Sequence, residues 1–224
     1  MANLKSQRQL IKETKKNQQK RRTLIAIIAV VAVIIIALLV WLLPRLGADK
    51  NVYAQQDGFS VGDPNAPVKV VEYSNYTCSH CRNFALNDEE AFVKKYVDTG
   101  KVYLTFHNFP FQGDSTGPGV AASHCAAEQN AFWQYKEQLF TYSGHPGGFD
   151  TNNLFSYASR LGLNRGAFKS CFESSATQAK IASDREAALA QNISATPTFV
   201  VNGLAVYLDT LESTIDAELA KIGQ

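Results

Sequence analysis

Val68-Lys69-Val70-Val71-Glu72-Tyr73, then Ser74-Asn75-Tyr76-Thr77, then Cys78-Ser79-His80-Cys81 is the stretch on which the reading of this chain turns. The first six residues read as a β-strand, the next four as a short polar turn, and helical periodicity runs from Asn83 to Val97. Cys78 therefore stands at a helix start, where unpaired backbone N–H groups and the positive end of the helix dipole favour thiolate over thiol. A thiolate is the attacking species in disulfide exchange, and a second thiol one turn further along can resolve the mixed disulfide. The pattern points to a dithiol redox centre.

The same C-x-x-C spacing also serves zinc. A structural zinc site needs four ligands, usually from two such pairs, and the other two cysteines, Cys125 and Cys171, are far apart and in no such arrangement. His107, His124 and His145 have no partner at metal spacing, so no metal is expected. His80, between the two cysteines, is expected to pair through its imidazole with a thiolate and lower its pKa. The plainer alternative for His80 is an exposed residue of the first turn.

Working outward, Lys101–His107 alternates as a second strand, completing a strand-helix-strand unit with a right-handed crossover. From Gly117 to about Gln191 the apolar residues recur at helical steps, including Ala121, Cys125, Phe132, Trp133, Leu139, Leu154, Phe168 and Cys171. Gly144-His145-Pro146-Gly147-Gly148 interrupts them. Strand character returns at Thr198–Asn202, Asn202-Gly203 signals a hairpin into Leu204–Tyr207, and Thr210–Ile222 reads as a closing helix. A helical block of about residues 115–190 thus interrupts an α/β domain.

The ends carry a different message. Residues 1–22 hold eight basic side chains against Glu13 alone, and no charged residue occurs from Thr23 to Leu43. That apolar run is long enough to cross a hydrocarbon core of about 30 Å as one helix. By the positive-inside rule the basic tail stays in the cytoplasm and everything after Pro44 lies outside. The expected organisation is a basic tail at 1–22, a signal anchor at 23–43, a linker at 44–58 and one domain at 59–224. A cleaved signal peptide ending near Val52-Tyr53-Ala54 is the alternative. With a net charge of +2 for the whole chain, the remainder after the basic tail is mildly acidic, which argues against nucleic-acid binding.

The exported part resembles the DsbA family of thiol-disulfide oxidoreductases. The resemblance runs from about Phe59 to Gln224. It is carried by Asp63-Pro64-Asn65-Ala66-Pro67-Val68, Glu72 six residues before Cys78, the Cys78–Cys81 motif, Phe109-Pro110, Ala126-Ala127-Glu128-Gln129 with Phe132-Trp133, and Thr196-Pro197-Thr198-Phe199-Val200-Val201-Asn202-Gly203. The membrane-anchored arrangement is similar to the disulfide-bond formation proteins of Gram-positive bacteria. It implies a thioredoxin-like fold with a helical insertion, behind a single N-terminal transmembrane helix. It further implies an acid at Glu72 near the cysteines, a cis bond before Pro197, and a Thr196 backbone that pairs with an extended substrate. One departure stands out: Ser79 occupies a position where the best-known member has proline.

The implied activity is oxidation of reduced exported polypeptides, with reoxidation by a quinone-linked membrane partner and no tightly bound cofactor. A reductase or isomerase, or a non-catalytic binding module of the same fold, remain the alternatives. Cys125 and Cys171, on separate helical segments of an exported domain, read as a structural disulfide, the alternative being two buried free thiols. Asn75-Tyr76-Thr77 and Asn192-Ile193-Ser194 match the glycosylation pattern by chance on this reading, since a glycan at Asn75 would obstruct the dithiol.

Overall fold

A computed structural model describes Val31, Tyr53 and residues 55–223 of the chain. The basic tail expected at 1–22 lies outside the described residues, as does all of the span expected at 23–43 except Val31. Among the described residues no helix is long and apolar enough to cross a membrane.

Residues Val52–Gln224 form one compact unit. Its strands are β1 (Gln56–Asp57), β2 (Ser60–Val61), β3 (Val68–Ser74), β4 (Val102–Asn108), β5 (Thr198–Val201) and β6 (Leu204–Val206), in the spatial order β1-β2-β4-β3-β5-β6. β3 and β4 are parallel over Val68–Ser74 and Val102–Asn108, the geometry a crossover helix imposes. β5 pairs antiparallel with β3, setting Glu72 opposite Phe199 and Tyr73 opposite Thr198. Asn202 and Gly203, both at positive φ, make the turn into β6.

The crossover between β3 and β4 is a helical run from Ser79 to Val97. It consists of α1 (Ser79–Asn83), a wide π turn (Phe84–Asp88), α2 (Glu89–Phe92) and a second π turn (Val93–Val97). The wider turns leave Phe84, Phe92, Val93, Tyr96 and Val97 all buried under the sheet. Between β4 and β5 lie α3 (Gly117–Ala127), α4 (Phe132–Tyr142), α5 (Thr151–Arg160), α6 (Arg165–Phe172) and α7 (Ser175–Ala190), and α8 (Leu208–Lys221) closes the fold. Asn164 and Ser174 cap α6 and α7, their side chains accepting from Ala167 N–H and Thr177 N–H.

The core is aromatic. Trp133, Phe132 and Tyr135 of α4 are sealed from solvent together with Phe106 of β4, and a second, smaller cluster joins Tyr73 and Phe109 to Ala188 and Ile193. Cys125 of α3 and Cys171 of α6 form a disulfide, with Cα atoms 5.6 Å apart. The unit starts earlier than the sequence suggested. β1 falls inside the stretch expected as linker, and Tyr53 stacks on Trp133 with ring centroids 5.1 Å apart. Polar composition hid these contacts, because a two-residue edge strand has no room to show alternation.

Candidate active site

Cys78 is the N-cap of α1, in extended conformation. The turn before it is built by Asn75, a buried side chain to which the sequence reading gave no structural part. Asn75 Nδ2 donates to the Phe109 carbonyl (3.0 Å) and to Asp114 Oδ2 (2.7 Å), while its Oδ1 accepts from Thr77 N–H (2.8 Å) and Thr77 Oγ1 (2.6 Å). The Asn75 carbonyl in turn accepts from Cys78 N–H (3.1 Å). Fully engaged and only 1% exposed, Asn75 has no room for a glycan.

Cys78 Sγ is half-buried; Cys81 Sγ, one turn on, belongs to a residue with no solvent exposure. Cys81 N–H donates to Cys78 Sγ at 3.4 Å, and as a thiol Cys78 donates to the Thr196 carbonyl at 3.3 Å. The Cys78 thiol is brought down from 9.0 to about 5. The hydrogen bond from the Cys81 thiol is the main cause, opposed by partial burial and reinforced by the Thr196 side chain and the backbone N–H groups of Cys81 and His80. Cys81 moves the opposite way: burial, then the proton it shares with Cys78, pushes its thiol far above the ordinary value. One sulfur is poised to be an anion at neutral pH and its partner to hold a proton.

His80 contributes to the site through its main chain. The side chain is exposed, and the residue acts on Cys78 through its backbone N–H. The Thr196-Pro197 bond is cis. Because β5 starts at Thr198, opposite Tyr73 near the end of β3, the two preceding residues lie beyond that strand end and bring the Thr196 carbonyl against Cys78.

Glu72 lies on β3 with 0% exposure. Lys136 of α4 reaches it at 3.8 Å (Nζ to Oε2) and pairs more closely with Glu89 of α2, which also accepts from Tyr53 Oη at 3.1 Å. Burial raises the Glu72 carboxyl to about 7; Lys136 opposes that rise and Glu89 adds to it. Lys136 and Glu89 were not anticipated from sequence. A signal existed, since Lys136 sits on the buried stripe of α4 between Trp133 and Leu139, where a lysine needs a carboxylate.

Beside Cys78 opens a groove of about 490 Å³, lined by Thr77, Ser79, Arg82, Leu86, Asn87 and Gly144 among others. Arg82 Nη2 donates to the Thr141 carbonyl at 3.3 Å, and the missing Cβ of Gly144 makes room for it, since a Cβ there would lie 2.7 Å from Arg82 Nη1. Cys125 and Cys171 are committed to their disulfide and cannot complete a four-ligand zinc site with Cys78 and Cys81.

Residues 54–217 match the family model described as thioredoxin. The chain is 28% identical over 187 residues to the probable disulfide bond formation protein D of Bacillus anthracis, covering 78% of this chain and 83% of that one. Among solved structures it is similar to oxidised BdbD from Bacillus subtilis, with 26% identity, a TM-score of 0.63 and coverage of 73% and 94% of the two chains. The α-DsbA1 protein of Wolbachia pipientis also has 26% identity and a TM-score of 0.63, with coverage of 73% and 91%. A helix-capping Cys78 with a buried Cys81 behind it, on this sheet and with these relatives, makes the chain a member of the thioredoxin family and, within it, a DsbA-type thiol-disulfide oxidoreductase.

Proposed function

We propose that this protein is a membrane-tethered oxidase that introduces disulfides into exported polypeptides through Cys78 and Cys81. The observation that carries this reading is the opposed pair of sulfurs, with Cys78 held as an anion at about 5 and Cys81 buried and protonated. A stabilised thiolate stabilises the reduced enzyme, so its disulfide is an oxidant.

Cys78 and Cys81 begin the cycle as a disulfide. A substrate thiolate attacks Cys78 Sγ, forming a mixed disulfide, and Cys81 leaves as a thiolate. A proton from Glu72, whose carboxyl titrates near neutrality, converts Cys81 to the thiol. A second substrate thiolate then attacks the substrate sulfur of the mixed disulfide and releases Cys78 as the stable anion. Two substrate thiols become one disulfide, and the enzyme carries away both electrons as a dithiol. In this reading the Thr196 backbone pairs with an extended substrate strand. Reoxidation needs a membrane partner that passes the electrons to quinone.

The N-terminal sequence supports the tether, with eight basic residues before a charge-free run from Thr23 to Leu43, and it directs the domain outside. The test is the reduction potential of the Cys78–Cys81 pair, together with turnover of a reduced, unfolded substrate by the oxidised protein. We expect a potential well above the roughly −270 mV typical of a reducing thioredoxin and rapid substrate oxidation. A potential at or below that value would make the protein a reductase. Protease added to intact spheroplasts should remove the domain if it faces outward.

A further inference from the structure

Ser74 ends β3 two residues after Glu72, so strand alternation turns both side chains to the same face. That face is interior: Ser74 is 1% exposed and Glu72 is 0% exposed. The Ser74 hydroxyl and both Glu72 carboxyl oxygens close no hydrogen bond of good geometry. A hydroxyl and a carboxyl on one buried face of a strand, with no hydrogen bond of good geometry, are costly for stability, and such costs collect where chemistry needs the groups. The Ser74 hydroxyl also acts on two partners, favouring the anion of Glu72 and the anion of Cys81. Lys136 and Glu89 face Glu72 from α4 and α2, and Cys78 completes the charged surroundings.

We propose that Ser74 is the proton relay between Cys81 and Glu72. The proposal rests on Glu72 exchanging a proton with Cys81. When Cys81 resolves a mixed disulfide, its S–H proton passes to Ser74 Oγ while the Ser74 O–H proton passes to a Glu72 carboxylate oxygen. Cys81 then attacks Cys78 Sγ as a thiolate, the Cys78–Cys81 disulfide forms, and the outgoing thiolate takes the electron pair of the broken S–S bond. In the opposite direction Glu72 gives its proton to Ser74 and Ser74 gives its own to Cys81. The serine is unchanged at the end of either pass.

The step can be isolated by mixing the reduced full-length protein in detergent with increasing oxidised glutathione. The second-order rate at low concentration reports attack by Cys78, and the plateau at high concentration reports resolution by Cys81. Ser74→Ala should lower the plateau by roughly tenfold or more and flatten its pH dependence around neutrality, with the second-order rate unchanged. That unchanged rate also shows that the variant is folded. In a Glu72→Gln background, Ser74→Ala should cost nothing further. If Glu72→Gln slows resolution while Ser74→Ala does not, or if the two losses simply add, the relay is wrong and Ser74 is only packing. If Glu72→Gln leaves the plateau untouched, the proton role of Glu72 is wrong and the relay falls with it.

Discussion

Lys136 Nζ stands 3.8 Å from Glu72 Oε2 at the back of the dithiol, and neither side chain meets solvent. One buried cation thus serves two buried carboxylates, because Lys136 also pairs with Glu89. Burial raises the Glu72 carboxyl to about 7, and a single lysine shared with Glu89 does not bring it back down. Structural ion pairing and the proton supply proposed for Cys81 share this cluster.

Glu72 should make the fold less stable as pH rises. Its folded-state pKa of about 7 lies above the ordinary 4.5, so between those values the native protein binds the proton more tightly than the unfolded chain does. The contribution is complete below the unfolded value and is lost as pH climbs through 7. Glu72→Gln should therefore raise stability above neutral pH, by about 3 kcal/mol at most, and change little in acid. Urea unfolding across the pH range checks this, and a uniform shift at every pH would contradict it.

Removing the cation should do the reverse. Lys136→Met leaves Glu72 and Glu89 buried without a counter-charge, a change expected to cost about 3 to 5 kcal/mol at neutral pH. The loss should shrink on acidification, as the carboxylates take up protons. Thermal melts at two pH values would show it.

Reaction with iodoacetamide should separate the two thiols. Cys78 should alkylate with a midpoint near pH 5, while Cys81, buried and pushed upward, should stay unmodified in the native protein. Because the folded value of Cys78 is depressed, the thiolate stabilises the reduced form above the ordinary 9.0, and that contribution is lost as pH falls through 5. The stability of the reduced form relative to the oxidised form should accordingly rise as pH climbs from about 5 toward 9. Mass spectrometry of timed alkylation, and melts of both redox forms, read the two effects.

The bridge between Cys125 and Cys171 closes a loop with a separation of 46 residues across the helical insertion. In the chain-entropy account its removal should cost about 4 kcal/mol. The Cys125→Ala, Cys171→Ala double variant should unfold at correspondingly lower urea yet keep the reactivity of Cys78, since the bridge joins α3 to α6 and not the helix that carries the dithiol. Loss of Cys78 reactivity in a folded double variant would show that the insertion governs the dithiol.

The local order of this protein could be read from the chain, because it rests on short-range rules. Alternation marked β3 and β4, helical spacing marked the insertion, Asn202-Gly203 marked the last hairpin, and C-x-x-C after a strand put Cys78 at a helix start. Those features depend on neighbours within a turn or a pleat. The environment of the dithiol depends on contacts between distant segments, and only the tertiary structure decided it. Thr196 is brought to Cys78 by the pairing of β5 with β3, Lys136 is brought to Glu72 and Glu89 by the docking of α4, and Tyr53 is drawn from the apparent linker onto Trp133. His80 shows the same division at a single residue: its position between the cysteines was plain, while its exposure and the backbone N–H it offers Cys78 were set by the fold. A pKa is set by burial and by every charge within a few ångströms, and no spacing along a chain encodes those.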